Sequence, residues 1–490
     1  MSEYTLMLKD SPVMTLDIDE SARGAKSVAE IHDLEKAPLS IWNERIARMR
    51  DVDFAGLFNR WWNGRIIPSS RIGVQRSLRE IGASTTSELS LKSMALSLSD
   101  QYWLKPAASD ARWEDVNFFE NDFDDEIGRI LANAGLGGDA SPLSPSATVD
   151  GNLPKRWIVG ENGGRYLLKA GSGALKQEPF NEAAATALYE HLLEEGEYVP
   201  YRVVRGEWSW MSSCPCMADA SHSFVDARSV FYSIIENGGS PDKVGMVRAL
   251  EALGIHGAEA AIDKMLVCDF LLGNIDRHMG NFGAIMNSDT GEYEGMAPIF
   301  DSGLSLLCGI EDFPRDTLEL NANPFAPRQA TQLAMVRDFS WLDSAKLSGV
   351  ADIVCDIVRD CPSRYMDSER ANFLHAFVES NAAAVIAAAN CAPGAGMDAI
   401  LDRAEKIESV FAVAMRKKIG GTVFPFSGGA SPKTAADCRP MRQPIAGKGP
   451  RNRLEESPST RADKRESAGL VASASAAPTR TQSHDKASHD

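Results

Sequence analysis

The feature that most constrains this chain is a single change in the period of its apolar residues near position 226. Before it, RWIVG, GRYLLKAG and YVPYRVVRGEWSWMS read as three strands, the first two joined by the turn-like ENGG. Between the second and third, EPFNEAAATALYEHLLEE places Ala184, Ala187, Leu188 and Leu192 on one face of a helix. After it, DKVGMVRALEALG, GAEAAIDKMLVCDFLLGN, YMDSERANFLHAFVESNAAAVIAAAN and GMDAILDRAEKIESVFAVAMRKKI all carry helical spacing. The fold class that follows is α+β, with a small β-rich lobe preceding a larger helical lobe.

At 490 residues the chain exceeds what one core organises, about 250 to 300 residues. A Gly-, Ser- and Pro-rich stretch, LGGDASPLSPSATVDGNLPKRW, puts a boundary near Ala140. It separates an N-terminal accessory α/β region, 1–140, from the β-rich lobe, 141–225, and the helical lobe, 226–425. In the accessory region YTLML and VMTLDI alternate as strands, and SIWNERIARM and LSLKSMALSLSDQYWL mix helix with strand. Residues 426–490 lack apolar periodicity and read as a disordered tail.

The formal net charge is -17. Eleven Lys plus Arg against seven Asp plus Glu give the tail +4, so the body carries -21. Such a body repels bare nucleic acid and anionic lipid. No secretory leader opens the sequence and no long apolar run follows, so the expectation is a cytoplasmic protein without membrane or direct nucleic-acid contact. Of eight cysteines only Cys214 and Cys216 are close neighbours, and a zinc site there lacks two further ligands.

Chemistry concentrates in LLGNIDRHMGN, Leu271 to Asn281, and APIFDSGLSL, Ala297 to Leu306. Phosphoryl transfer needs a carboxylate to orient or deprotonate the attacking hydroxyl, and oxygen ligands to hold magnesium on the nucleotide phosphates. Asp276 suits the first task; Asn281 and Asp301, the latter at the end of an apolar strand, suit the second. An isolated Asp-Arg-His-x-x-Asn match more often only caps a loop. The second acid before Gly303 makes the pair specific. Lys169, on an apolar strand, supplies a cation for the phosphates, and Glu182, in the first turns of the lobe's helix, is its carboxylate partner. The bland alternative for Glu182 is a solvated acid favoured by the helix dipole.

Over roughly residues 141 to 420 the chain resembles the HipA-like kinases, bacterial serine/threonine kinases whose fold is distantly related to protein and phosphoinositide kinases. The family's Asn-x-Asp-x-His-x-x-Asn catalytic loop is matched by Asn274, Asp276, His278 and Asn281, and its later metal-binding acid by Asp301. The resemblance implies a two-lobed kinase-like fold, ATP and Mg2+ as cofactors, Asp276 as catalytic residue, and Asn281 and Asp301 as metal ligands. His278 joins the catalytic loop mainly as a brace, because a kinase needs one acidic base. Arg277 is read as loop support. Residues Ser144 to Lys155 resemble the family's flexible phosphate-covering loop, with Ser144, Ser146 and Thr148 as candidate autophosphorylation sites. The backbone of Val149, Asp150, Gly151 and Asn152 would cradle phosphate. The segment 205–219, where Met211 or Cys214 would line an adenine pocket, departs from the family's hinge.

The resemblance implies an ATP/Mg-dependent kinase acting on a protein serine or threonine, with the toxin role of a toxin–antitoxin system and a separately encoded helix-turn-helix antitoxin as partner. Two alternatives stay open: a phosphoinositide-like or small-molecule kinase, and a catalytically silent interaction module working through residues 1–140.

Overall fold

Alternating apolar residues build the first sheet. In the computed structural model the described residues are 2–19, 24–71, 73–132, 141, 143–207, 209–234, 241–311, 321–391 and 396–419. The tail 426–490 therefore lies outside them, as does the expected boundary near Ala140. Strands β1 (Ser2–Leu8), β2 (Ser11–Asp19), β3 (Gly24–Ile31) and β4 (Tyr102–Pro106) form an antiparallel sheet in the order β3-β2-β1-β4. Between β3 and β4 run α1 (Glu44–Ala47), α2 (Phe54–Asn63), α3 (Val74–Ile81) and α4 (Thr86–Lys92). Phe58 and Trp62, four residues apart on one face of α2, close over Leu6, Met14, Leu16 and Ile18.

Helices α5 (Trp113–Val116) and α6 (Glu126–Leu131) lead into the second sheet. There β5 (Lys155–Val159), β6 (Arg165–Ala170), β7 (Arg202–Arg205) and β8 (Trp210–Pro215) lie in the order β5-β6-β8-β7. The third strand expected from sequence is two: the Gly206 amide bonds the Ser209 carbonyl at 2.9 Å and folds the run back as a hairpin. Helix α7 (Glu178–Leu192) covers this sheet, with Ala184, Leu188 and Leu192 buried as expected and Ala187 half-buried.

A three-stranded sheet, β11-β10-β9, follows from β9 (His222–Asp226), β10 (Gly283–Asn287) and β11 (Tyr293–Met296). The helical part comprises α8 (Ala227–Ile234), α9 (Lys243–Ala252), α10 (Ala258–Leu272), α11 (Gln329–Ala334), α12 (Val350–Arg359), α13 (Ser368–Ala389) and α14 (Met397–Ile419). One continuous core joins these helices to α7. Among the described residues no helix is long and apolar enough to cross a membrane.

The N-terminal residues share cores with the rest. Met7, Trp103, Trp113 and Phe118 pack with Val149 and Trp157, and Ala147 packs with Leu78 and Ile127. Buried Gln101 donates to the Asp219 and His222 carbonyls at 2.6 and 3.0 Å and accepts from the Ser223 and Ser288 hydroxyls. Burying an amide side chain is tolerable only with such pairing.

The β9–β10 ladder needs a residue without Cβ at 283, since a Cβ there would stand 2.1 Å from the Val225 carbonyl oxygen. Gly283→Ala should therefore destabilise the protein by about 1–3 kcal/mol, read as a lower melting temperature. An unchanged melting curve would show the close approach to be wrong.

Candidate active site

Helix α10 ends at Gly273, whose φ of +63° turns the chain sharply into the Asn274–Asn281 loop. The loop is tied internally: the Asn274 side chain accepts from the Asp276 amide at 3.1 Å and donates to Asp269 at 2.8 Å. Asn281 Nδ2 donates to the Asp276 carbonyl at 2.9 Å, which leaves Oδ1 without a partner among the described residues. His278 is exposed, and its Nδ1 accepts from the Gly280 amide at 3.0 Å, the bracing geometry.

Arg277, wholly buried, organises this loop. Its Nε and Nη2 reach the two Asp269 oxygens at 2.9 Å each, and Nη1 reaches the Asn281 carbonyl at 2.8 Å and the Phe300 carbonyl. Nη2 also meets the Ser302 hydroxyl at 3.0 Å, and the Ile275 amide bonds the Leu304 carbonyl at 3.2 Å. A bidentate buried ion pair thus carries Asp276 and Asn281 to Asp301. The apolar strand expected before Asp301 is reduced to one bridge, Ile299 against Tyr198, because Pro298 has no amide to extend a ladder.

Asp301 sits at φ +57°, a left-handed conformation that Asp tolerates better than most residues. Lys169 Nζ lies 3.0 Å from its Oδ1, 3.3 Å from Glu182 Oε1 and 3.2 Å from the Tyr201 hydroxyl. The other Glu182 oxygen accepts from the Ser302 amide at 2.9 Å. Burial alone would raise the Asp301 pKa, but Lys169, Lys155 and Arg277 outweigh it and hold the carboxyl well below its ordinary range. For Lys169 burial favours the neutral amine, yet Asp301, Tyr201 and Glu182 together keep it firmly protonated. Burial, with the Asp301 charge, pushes Glu182 upward against the pull of Lys169. Asp276 is raised chiefly by burial and also by Asp301, with His278 opposing.

Several residues of this site escaped the sequence reading. Asn181 donates to the Gly303 and Ser305 carbonyls, both at 2.8 Å. Glu178, Asn181 and Glu182 form a buried polar row at helical spacing along α7, a pattern hidden beside its apolar face. Lys155 stands directly across β5–β6 from Lys169 and is only 8% exposed, with no hydrogen-bond or ion-pair partner among the described residues. Burial, reinforced by Lys169, brings its pKa down to about 8. Counting outward from the 160–164 turn pairs the two lysines, so that signal was present.

The segment Ser144–Thr148, expected as flexible loop, is a packed turn: residues Pro145–Thr148 are 3-10 helical and buried. Ser144 Oγ accepts from the Ser146 amide, Ser146 Oγ from the Trp157 amide at 3.0 Å, and Thr148 donates to the Leu96 carbonyl at 2.6 Å. None of the three hydroxyls is open to phosphorylation in this conformation. Beyond them Val149 is buried, Asp150 and Asn152 are exposed, and Gly151 takes φ +95° with its amide held by Asp150 Oδ1 at 2.6 Å. Met211 packs on Leu168 and Ala170, and Cys214 on Val199 and Tyr201. The Cys216 thiol donates to the Leu98 carbonyl at 3.1 Å.

Among the described residues no cluster of three or more His, Cys, Asp or Glu could cage a metal. The donor set still fits magnesium, which takes one or two protein oxygens and completes its shell with phosphate and water. Asp301 offers a carboxylate held ionised, and Asn281 an unpartnered Oδ1. The unpartnered Lys155 ammonium suits a phosphate oxygen.

Removing Arg277 strands Asp269 and unties the loop. Arg277→Met should cost about 3–5 kcal/mol in denaturant unfolding. A loss below about 1 kcal/mol would mean that the network does not hold the loop.

No family model matches the chain. Serine/threonine-protein kinase CtkA of Helicobacter pylori is 50% identical over 106 residues, which cover 20% of this chain and 32% of that kinase. The matched segment thus spans about a third of this curated relative. The crystal structure of H. pylori proinflammatory kinase CtkA aligns with a TM-score of 0.35 at 18% identity, over 54% of this chain and 95% of that one. Toxin–antitoxin protein HipA of Shewanella oneidensis, solved with HipB and operator DNA, aligns with a TM-score of 0.38 at 15% identity, over 86% of this chain and 98% of that one. Over those 106 residues the chain is similar to a serine/threonine-protein kinase, and Asn274, Asp276, His278, Asn281 and Asp301 are the residues that carry its resemblance to the HipA-like kinases.

Proposed function

We propose that this protein is an ATP- and magnesium-dependent kinase that phosphorylates a serine or threonine hydroxyl of a protein. The observation that carries the reading is the buried Lys169 ammonium shared by Glu182 at 3.3 Å and Asp301 at 3.0 Å, beside a loop that Arg277 ties to Phe300 and Ser302. A strand lysine paired with a helix glutamate, next to an acid and an amide suited to metal, is the arrangement phosphoryl transfer uses. The acceptor class is supported by the name of the H. pylori relative. A toxin role and a separately encoded helix-turn-helix antitoxin belong to the same proposal and rest on the family resemblance.

In this reading Asp276 accepts a hydrogen bond from the attacking hydroxyl and orients it. Lys169 donates to phosphate oxygens, with Glu182 keeping the ammonium in place, and Lys155 donates from the facing strand. Asn281 Oδ1 and Asp301 would hold magnesium, which when bound neutralises charge on the phosphates. Arg277 keeps the Asp276–Asn281 loop and Asp301 in fixed relation, so that the hydroxyl and the phosphoryl group meet in line.

The test is incorporation of label from γ-labelled ATP with magnesium by the full chain. Asp276→Ala should lower the rate about 10²–10⁴-fold while calorimetry still detects ATP binding. Asp301→Asn should abolish label transfer. Wild-type protein that neither binds ATP nor takes up label would sink the proposal.

Burial and Asp301 raise the Asp276 pKa, and a base must be deprotonated to work. The acid limb of the rate profile should therefore lie above an ordinary aspartate's pKa of about 3.9. His278→Ala removes an opposing positive charge and should move that limb higher still. A downward shift would contradict the assignment.

A further inference from the structure

Arg71 belongs to the N-terminal residues, in the turn between α2 and α3, yet it is 2% exposed and ends at the Val149–Asn152 loop. Its Nε donates to the Gly151 carbonyl at 2.8 Å and its Nη2 to the Val149 carbonyl. Next to it, Ser70 Oγ donates to Asn152 Oδ1 at 3.0 Å. Both carbonyls therefore point at the guanidinium. In a trans peptide the carbonyl and the following amide point in opposite directions, so the amides of Asp150 and Asn152 both face away from Arg71. Two amides aimed the same way across a positive-φ glycine make an anion-binding concavity. Two further donors here lack an acceptor among the described residues: Arg71 Nη1, buried, and the Lys155 ammonium, which a Cβ on Gly151 would approach to 2.5 Å. Two buried cations beside one loop repel each other, and an anion relieves both.

We propose that Arg71 is a positioning residue of the nucleotide site: by gripping the Val149 and Gly151 carbonyls it aims the Asp150 and Asn152 amides at the phosphates. The assignment rests on the kinase reading above. It makes the N-terminal residues part of nucleotide binding, because the loop's conformation is held from their side. The Asp150 carboxylate caps the intervening Gly151 amide at 2.6 Å and leaves the Asp150 and Asn152 amides to the phosphate.

The test compares wild-type full chain with Arg71→Ala, Arg71→Lys and Ser70→Ala for binding of ATP, ADP and adenosine by calorimetry, and for ATP KM and kcat. Arg71→Ala should raise the ATP dissociation constant about tenfold and KM in parallel, with adenosine affinity and kcat little changed, as loss of ground-state phosphate binding requires. ADP binding should slow hydrogen exchange at the Asp150 and Asn152 amides in wild type and slow it less in Arg71→Ala. Arg71→Lys keeps the charge but not the two-pronged grip, so it should show the same phosphate-selective loss and serves if the alanine variant fails to fold. ATP affinity within twofold of wild type in both Arg71 variants, or equal losses for ATP and adenosine, would overturn the assignment. Wild-type protein that binds no ATP would instead sink the kinase reading itself.

Discussion

The site depends on one buried charge. Arg277 is fully enclosed, and a guanidinium stays ionised in proteins, so every donor must find an oxygen or the fold loses several kcal/mol. It finds them in Asp269 on α10, in the Asn281 carbonyl of its own loop, and in Phe300 and Ser302 of the segment that carries Asp301. Satisfying that single side chain ties the end of α10 and its following loop to the segment that carries Asp301. Asp276, Asn281 and Asp301 occupy one site because the loop cannot move without exposing an unpaired ion.

Around that hub the charges are deliberately unequal. Asp301 and Glu182 face the ammonium of Lys169, while Lys155 stands opposite Lys169 with no ion-pair partner among the described residues. Like charges directly across a ladder destabilise it, and a buried ammonium without an acceptor costs more. A structure selected only for stability would have removed one of the two lysines. Their retention is physically sensible if an anionic phosphate and a divalent cation share the pocket.

The N-terminal residues hold the loop that leads into β5. Their aromatic side chains pack against Val149 and Trp157, and Arg71 reaches the carbonyls of the loop between them. The shared core explains why that loop is held although its composition, rich in Ser, Pro and Gly, suggests a linker. Composition reports what a segment cannot bury by itself; here a neighbouring sheet and its helices do the burying.

The sequence by itself determined what depends on local order. Period-two and period-3.6 apolar patterns located β1, β2, β5, β6, α7, α9, α10, α13 and α14, and residue chemistry at short spacing singled out Asp276, Asn281 and, from farther along, Asp301. It also paired Lys169 with Glu182, which lie 3.3 Å apart. Only the tertiary structure decided which polar groups are enclosed. Nothing local distinguishes Arg277 from a surface arginine, Lys155 from an edge lysine, or Ser144, Ser146 and Thr148 from loop hydroxyls. Each is defined by contacts from other elements: Asp269 and Phe300, Lys169 across the hairpin, Ser93 and Leu96 from the N-terminal residues. Solvent exclusion is a property of the assembled chain, and it converts ordinary polar residues into the framework of the site.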